Sequence, residues 1–307
     1  MRYRFLIIDS NNLFWRNWHI VSKFYYQGVT ENPYLNTIYR SIQEILKLQK
    51  IYECSDQHVF LLFDNCSSKT KNRKMIYPQY KNDRDVETAP SNIYYSLSLF
   101  KELLKAYSDK FILVYRKGYE ADDLTLPLKN ALLKSLRKTE KMMFISGDLD
   151  WARNIDSNSH WYNWKVVYDR EGFLKKEGYW PKENSVKLYK TFKGDSSDNI
   201  PVGVKAMPYD VLMDILEKYD SLEEIFKGLL TAKYDQKVIK RIYDSKRQLW
   251  INYKLVDFIP LDVSIEETIF QCFAKPKKIK FWFKFFKFPI PSWAVELEEV
   301  EDMLFNT

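Results

Sequence analysis

The chain has 307 residues, 46% of them hydrophobic and 17% aromatic, which is enough for a sizeable core in one large domain or two smaller ones. No apolar run approaches the roughly 20 residues of a membrane span, and the start turns polar too soon for a secretory signal, so the sequence predicts a cytoplasmic protein. The net charge of +7 favours an anionic partner, while three widely spaced cysteines, Cys54, Cys66 and Cys272, indicate neither a disulfide framework nor a zinc site.

Four short apolar runs in the first half of the chain predict buried β-strands. They cover residues 5–8, 59–63, 111–115 and 142–145. Apolar residues at helical spacing predict helices between them, at 37–50, 93–107 and 123–136. This alternation is typical of an α/β fold with a mostly parallel sheet.

The second half of the chain is predicted to be helical. It follows a segment rich in Trp and Tyr, residues 161–168, which can add a further strand. The predicted helices lie near 184–192, 208–218, 221–229 and 236–250. We therefore place a domain boundary near residue 180.

The long connection between the second and third strands, residues 65–92, is polar and basic. Its cationic residues include Lys69, Lys71, Arg73, Lys74, Lys81 and Arg84. Connections of this length are usually functional or disordered. The polarity and weak helical periodicity between 65 and 85 predict disorder when no nucleic acid is bound.

An acidic residue stands at or just after the carboxyl end of nearly every predicted strand. These residues are Asp9, Asp64, Glu120, Asp122, Asp123, Asp148 and Asp150. In a parallel sheet these ends lie along one edge, where ligands bind. A single such acid is most often a turn former or helix cap, but seven at one edge repel one another unless cations neutralise them. Oxygen ligands without His or Cys suit Mg²⁺ or Mn²⁺, so we predict a two-metal site for a phosphate substrate.

A second acidic group, Asp195 and Asp198, lies in the segment 193–199. A capped loop explains this segment as well as a metal site does. Without these nine of the 41 acidic residues, 48 basic residues face 32 acidic ones, a surplus of 16. Such a surplus around an acidic pocket is typical of proteins that bind nucleic acid.

Six sequence blocks resemble the 5′-nuclease (flap endonuclease) superfamily, which includes the 5′-to-3′ exonuclease domains of bacterial DNA polymerases and stand-alone phage enzymes. The blocks are IIDSNNLFWR at 7–16, LLFDN at 61–65, YPQYKNDR at 77–84, GYEADDL at 118–124, ISGDLDW at 145–151 and KGDSSDNIP at 193–201. Their shared order is a specific signal, whereas EADD alone is weak. The resemblance implies a PIN-like nuclease domain at 1–180 and a helical DNA-binding domain of helix-hairpin-helix type at 181–307.

The same resemblance implies two Mg²⁺ ions as cofactors, for which Mn²⁺ can substitute. The expected ligands are Asp9, Asp64, Glu120 and Asp122 around one ion and Asp148, Asp150, Asp195 and Asp198 around the other, with Asp123 behind them. The implied reaction is hydrolysis of a phosphodiester by water at the metal site, which leaves 5′-phosphate and 3′-hydroxyl ends.

Residues of the basic connection are implied in substrate contact, because in the family this connection forms a helical arch around the single-stranded 5′ end. Lys81 and Arg84 are expected at the scissile phosphate as catalytic residues, and Tyr80 is expected to stack on a base. Composition alone explains these residues equally well as a solvated basic surface. Lys205 is a further substrate-binding candidate.

The loop after residue 201 departs from the family pattern. Family members continue with GVxGIG, whereas this chain reads VGVKAMP at 202–208, one residue longer and without the two glycines of GxG. It therefore lacks glycines on which the family's monovalent-cation site and duplex grip depend. Some phage members of the ribonuclease H type also differ here, and Tyr119 before the EADD block resembles theirs. We predict a phage-type enzyme, located in the host cytoplasm if phage-encoded.

The C-terminal residues 275–288 interleave lysines with aromatic residues. Helical spacing favours a helix packed on the body, and binding to a single strand, a protein or a membrane surface is the alternative. The acidic residues 296–302 predict a solvated helix that can contact a basic replication partner.

These patterns together predict a Mg²⁺-dependent 5′-to-3′ exonuclease or flap endonuclease for RNA-primer removal and lagging-strand maturation. Its expected partners are branched or nicked DNA and RNA–DNA duplexes and a single-stranded-DNA-binding protein or other replication proteins; we expect a monomer without membrane contact. A PIN-type ribonuclease for single-stranded RNA is one alternative, although it would not need residues 193–201. An inactive DNA-binding scaffold is the other, although all nine acidic positions are occupied.

Overall fold

The computed structural model describes residues 2–28, 32–65, 69–82, 91–106 and 110–272. Its strands are β1 (Phe5–Asp9), β2 (Val59–Leu62), β3 (Phe111–Val114), β4 (Met142–Ile145), β5 (Ser159–Tyr162) and β6 (Val167–Tyr168). They form one sheet in the order β3-β2-β1-β4-β5-β6, in which only β6 runs antiparallel to its neighbour. The predicted α/β fold with a mostly parallel sheet is confirmed, and the Trp-rich segment supplies a short hairpin.

Five helices accompany the strands in the first half of the described chain. They are α1 (Ser10–Tyr26), α2 (Pro33–Ile51), α3 (Lys69–Ile76), α4 (Ser91–Ala106) and α5 (Thr125–Leu133). The sequence did not predict α1, because its first turn consists of Ser and Asn, which favour caps and turns. The predicted disorder between 65 and 85 is wrong for α3, which is helical. Arg84 lies outside the described residues.

The second half is helical, as the sequence predicts. Its helices are α6 (Arg170–Glu177), α7 (Glu183–Lys193), α8 (Tyr209–Lys218), α9 (Leu222–Gly228), α10 (Gln236–Asp244), α11 (Lys246–Leu255) and α12 (Ile265–Cys272). The single helix predicted at 236–250 is wrong, because the chain breaks at Ser245, which ends α10 and begins α11. The segments 275–288 and 296–302 lie outside the described residues. Within the described part, no helix is both long and apolar enough to cross a membrane.

The two faces of the sheet bury two apolar clusters, because successive side chains of a strand point to opposite faces. Leu6 and Ile8 of β1 pack on one face with residues of α1, α2 and α4. Ile7 packs on the other face in a cluster that continues through Val186 of α7 to Leu249 of α11. The sheet and the second-half helices therefore share a core, and the boundary near 180 stays a prediction.

Candidate active site

The acidic residues that follow the strands converge at the carboxyl edge of the sheet. Asp9 ends β1, Asp64 lies two residues beyond β2, and Asp148 lies three residues beyond β4. These three line a cavity of about 170 Å³, which is also lined by Asn11, Asn12, Trp15, Lys81, Glu120, Ala121, Asp122 and Trp151. The strand-end pattern thus located the pocket, while Trp15 was missed because it lies on the unpredicted helix α1.

Asp9 lines the cavity and is held in place by two hydrogen bonds. Its Oδ1 accepts a hydrogen bond from the backbone N–H of Asn12 at 2.9 Å, which caps α1, and its Oδ2 accepts one from the Ser146 hydroxyl at 2.8 Å. Burial, together with the charge of Asp64, raises the pKa of Asp9 to about 7. Without a nearby cation, this carboxyl group holds its proton close to neutral pH.

Three acids from the loop after β3 form the tightest cluster. One oxygen each of Glu120, Asp122 and Asp123 lies within 4.8 Å of the others. Both carboxylate oxygens of Asp123 accept backbone hydrogen bonds, one from the N–H group of Glu120 at 2.9 Å and one from that of Ile259 at 2.7 Å. Burial, and then the charges of Asp123 and Glu120, raise the pKa of Asp122 well above its usual value. These backbone hydrogen bonds fix Asp123 in the loop, and its expected place behind the metal ligands stays a prediction.

Glu120 forms ion pairs with two cationic residues of the basic connection at 65–92. Lys81 donates to its Oε1 at 2.8 Å, and Arg73 of α3 pairs with its Oε2. Arg73 is only 4% exposed, and it also donates to the backbone carbonyl of Asp257 at 2.8 Å. Sequence reasoning counted Arg73 as one of several surface cations. Its place at the site depends on how α3 packs, which composition does not reveal.

The second acidic group surrounds Lys190, a residue of α7 that sequence reasoning missed. Its Nζ lies 3.3 Å from Asp148, 2.9 Å from Asp150 and 2.8 Å from Asp195. Burial opposes the charge of Lys190, but these carboxylates outweigh it and raise its pKa well above the usual value. One signal was available, because Lys190 follows the apolar Val186 by four residues and so falls on the buried face of its helix, where a lysine needs an acidic partner.

The pKa values of the three acids around Lys190 shift in different directions. Burial raises the pKa of Asp150 to about 6 despite the opposing charge of Lys190. For Asp148 and Asp195, burial is outweighed by Lys190 and by hydrogen bonds, and each pKa lies below its usual value. The Lys190 ammonium group therefore stabilises the ionised forms of Asp148 and Asp195.

Asp198 and Tyr80 join the two acidic groups. Asp198 lies 3.6 Å from Lys81 Nζ and accepts a hydrogen bond from the Tyr80 hydroxyl at 3.0 Å. This differs from the expected grouping of Asp198 with Asp148, Asp150 and Asp195 alone. The ring of Tyr80 is 1% exposed, and Lys81 and Arg73 lie against it. In this conformation the buried ring of Tyr80 contacts Asp198 and the two cations and is not open to a base, so stacking on a base in the nucleic-acid complex stays a prediction.

The loop at 202–208, whose sequence departs from the family pattern, still adopts a glycine-like backbone conformation at one of the replaced glycines. Ala206 stands at one of the two replaced glycines and adopts φ 50°, in the left-handed region that glycine favours. Gly203 packs so closely that an added Cβ would lie 2.2 Å from the Thr191 carbonyl oxygen. Lys205 is exposed on this loop and away from the cavity lining, so its role in substrate binding stays a prediction.

Comparison with known proteins places this pocket in context. The profile of the family described as 5′-3′ exonuclease, N-terminal resolvase-like domain, matches residues 4–178, which include all but two of the nine acids. The chain belongs to this 5′-3′ exonuclease family. The family assignment makes the protein a nuclease and makes the acid-lined cavity its candidate active site.

Relatives of this 5′-3′ exonuclease family member include a bacterial polymerase. DNA polymerase I of Caldicellulosiruptor bescii is 28% identical over an alignment of 276 residues, and the match covers 86% of this chain and 30% of the polymerase. The chain therefore spans less than a third of that relative's length.

Solved phage structures share the exonuclease fold. The T5 D15 protein co-crystallised with metal ions aligns with a TM-score of 0.65 and 20% identity over 87% of this chain and 97% of its own. T5 5′-exonuclease with divalent metal ions (zinc) bound aligns with a TM-score of 0.65 and 21% identity over 89% of this chain and 99% of its own.

Proposed function

We propose that the protein is a Mg²⁺-dependent 5′-to-3′ exonuclease or flap endonuclease that hydrolyses phosphodiester bonds near the 5′ end of DNA or RNA strands in branched or nicked duplexes. The observation that carries the proposal is the convergence of carboxylates at one sheet edge around only a few cationic side chains. Lys81, Arg73 and Lys190 lie among these acids. The raised pKa values of Asp9, Asp122 and Asp150 show that these cations do not balance the carboxylates of the described site, which therefore favours further positive charge.

The residues present fit a divalent metal. Asp150 Oδ1 is buried and accepts no hydrogen bond from the described residues, a state that usually costs about 1–3 kcal/mol unless a cation or donor satisfies it. All candidate ligands offer oxygen, which Mg²⁺ and Mn²⁺ prefer. Asp9, Asp64, Glu120 and Asp122 would hold one ion, and Asp148, Asp150 and Asp195 the other, with Asp198 between the two groups. Bound there, such ions polarise the phosphate and lower the pKa of coordinated water.

The chain's own residues then position the substrate. Lys81 lines the cavity beside Glu120, so its ammonium group can donate to a phosphate oxygen. Trp15 presents an indole at the same cavity, 5.5 Å from the ring of Tyr94, and offers a surface on which a terminal base can stack. Arg84 and Lys205 remain candidates for contact with the phosphate backbone.

The relatives support the substrate class. One T5 structure is described as a flap endonuclease in a pseudo-enzyme–product complex with DNA and metal ions. Because the chain matches a phage enzyme along most of both lengths, we extend the proposal to a phage-type protein that removes RNA primers during lagging-strand maturation. It would act as a monomer and meet single-stranded-DNA-binding protein or other replication proteins.

A cleavage assay tests this proposal. End-labelled 5′-flap DNA and RNA-primed DNA are incubated with Mg²⁺, with EDTA, or with Asp150→Asn in place of the wild type. We expect short 5′ products with Mg²⁺ only, and loss of at least about 100-fold in rate for Asp150→Asn. Asp56→Asn is the matched control, because Asp56 is exposed before β2, at the opposite edge of the sheet. Cleavage unaffected by EDTA, or restricted to unstructured RNA, would contradict the proposal.

A further inference from the structure

A second and larger groove runs along α11 where that helix meets α3. It encloses about 810 Å³ and is open to solvent. Its lining includes the cations Lys246, Arg247 and Lys254, the apolar Trp250 and Ile76, and the acid Asp244. Neither the strand-end acids nor the sequence blocks at 118–124 and 145–151 contribute to its lining, so the chemistry of the acidic cavity does not explain this groove.

The charge of the groove favours an anion. Lys246, Arg247 and Lys254 are exposed, and within the described chain none of them lies within 4 Å of a carboxylate oxygen. Asp244 is the acid that lines the groove, which leaves a local surplus of positive charge. Cations kept exposed and without acidic partners are available to phosphate groups.

The cations alternate with an aromatic side chain on one helix face. Arg247, Trp250 and Lys254 follow one another at spacings of three and four residues, so they project from the same side of α11. The half-buried indole of Trp250 is fixed at one edge by Tyr253, whose ring centroid lies 5.7 Å away. Ile76 adds apolar surface from α3. A row of cation, ring and cation suits a strand whose phosphates and unstacked bases are both accessible.

The groove begins close to the acidic cavity. Arg73 pairs with Glu120, while Ile76, about 4.5 Å further along the axis of α3, lines the groove. Tyr77 and Ile251 pack with Tyr80 in one apolar cluster that joins α3 to α11. A strand that leaves the cavity past Lys81 therefore meets the groove with little intervening protein.

We propose that the α11 groove binds the single-stranded part of the substrate's 5′ strand, with phosphates on Arg247 and Lys254 and a base against Trp250. The assignment rests on the proposed function, because it supplies a subsite for that substrate. Single-stranded rather than duplex nucleic acid is favoured because the apolar surface of Trp250 and Ile76 contributes only if base faces are exposed.

Binding measured without cleavage tests the groove independently of activity. The probe is a fluorescent oligothymidylate of about 20 nucleotides, titrated in EDTA at several salt concentrations. For Arg247→Gln with Lys254→Gln, we expect about tenfold weaker binding at 0.1 M salt and a plot of log affinity against log salt that is shallower by about 1.4. For Trp250→Leu, we expect about tenfold weaker binding with the slope unchanged. Lys134→Gln with Lys138→Gln, exposed on the amino-end side of β4, is the control and should match the wild type.

Cleavage with Mg²⁺ then links the groove to the substrate. The double variant should raise KM for a long single-stranded 5′ flap several-fold more than KM for a nicked duplex, with kcat unchanged. Unaltered oligothymidylate affinity in both groove variants would overturn the assignment, and so would an equal loss of affinity for blunt duplex. If the wild type cleaves no substrate, the proposed function is wrong. The binding titration still shows whether the groove binds single-stranded nucleic acid. Thermal unfolding of each variant separates lost binding from lost folding.

Discussion

Lys190 shows how a single cation can stabilise a cluster of acids. It pairs with Asp148, Asp150 and Asp195 while only 6% exposed. Its replacement by methionine keeps the apolar stem but leaves three carboxylates, including the buried Asp150, without their cation. We expect Lys190→Met to lower the free energy of unfolding of the metal-free protein by about 3–5 kcal/mol at pH 8.

Urea denaturation with and without Mg²⁺ measures this effect. Added Mg²⁺ should restore part of the lost stability, because a metal ion can replace the missing positive charge. Lys193→Met on the same helix serves as the control. If Lys190→Met were as stable as the wild type in EDTA, Lys190 would not be needed to neutralise the surrounding carboxylates.

Asp9 gives a pH dependence of stability with a defined sign. Its carboxyl pKa rises from 3.8 to about 7 on folding. Between roughly pH 4 and pH 7 the folded state keeps a proton that the unfolded state has lost, so stability falls as pH rises through this window. We expect metal-free Asp9→Asn to be about 4 kcal/mol more stable than the wild type at pH 8 and equally stable below about pH 4.

Chemical denaturation in EDTA at several pH values measures the Asp9 effect. Asparagine can still accept the capping hydrogen bond from Asn12, which isolates the electrostatic contribution. A stability difference that grows as pH falls would have the wrong sign for a raised carboxyl pKa.

At the scale of elements, α3 and the turn after it are fixed by Tyr80. Its hydroxyl donates to Asp198 at 3.0 Å and lies 3.2 Å from Arg73. We expect Tyr80→Phe to lower the free energy of unfolding by about 1–2 kcal/mol without nucleic acid, because the buried Arg73 and the partly buried Asp198 each lose a hydrogen bond. Urea denaturation measures this, with Tyr77→Phe as control.

The same variant distinguishes bracing from stacking. Phenylalanine retains the ring, so a residue that only stacks on a base would keep its stability and its nucleic-acid affinity. Unchanged stability of Tyr80→Phe would therefore count against the bracing role.

The loop at 202–208 offers a second element-scale test. Ala206 holds a left-handed backbone, which costs a residue with a Cβ about 1 kcal/mol relative to glycine. We expect Ala206→Gly to raise the melting temperature by about 2 °C, as measured by circular dichroism. Ala232→Gly, in a loop without positive φ at that residue, should instead leave it unchanged or lower it.

The sequence predicted the elements that depend on local pattern. Buried apolar runs identified β1, β2, β3 and β4 because a strand covered on both faces is apolar throughout. The strand-end acids were located by topology alone. Lys190 and Arg73 were not, because their partners lie far away in the chain and the packing of α7 and α3 brings them together.

For the whole molecule, the shared core has a thermodynamic consequence. Phe144 of β4 and Trp151 lie in the same apolar cluster as Val186 and Leu212 of the second half. Unfolding of the helices would expose one face of the sheet, so we expect one cooperative thermal transition rather than two. Scanning calorimetry measures this, and two transitions separated by temperature would contradict it. A fragment that ends at residue 180 should fail to fold for the same reason.

Glu120 shares its oxygens between Lys81 and Arg73, which both belong to the segment that begins with α3. A divalent ion held by Glu120 would use the same oxygens, so docking of this segment and ion binding would form a thermodynamic cycle. Linkage requires each to alter the other's equilibrium by the same factor. A substrate phosphate that attracted Lys81 away from Glu120 would leave that carboxylate more fully to an ion. Capture of a strand would then raise the affinity of the cavity for a divalent ion.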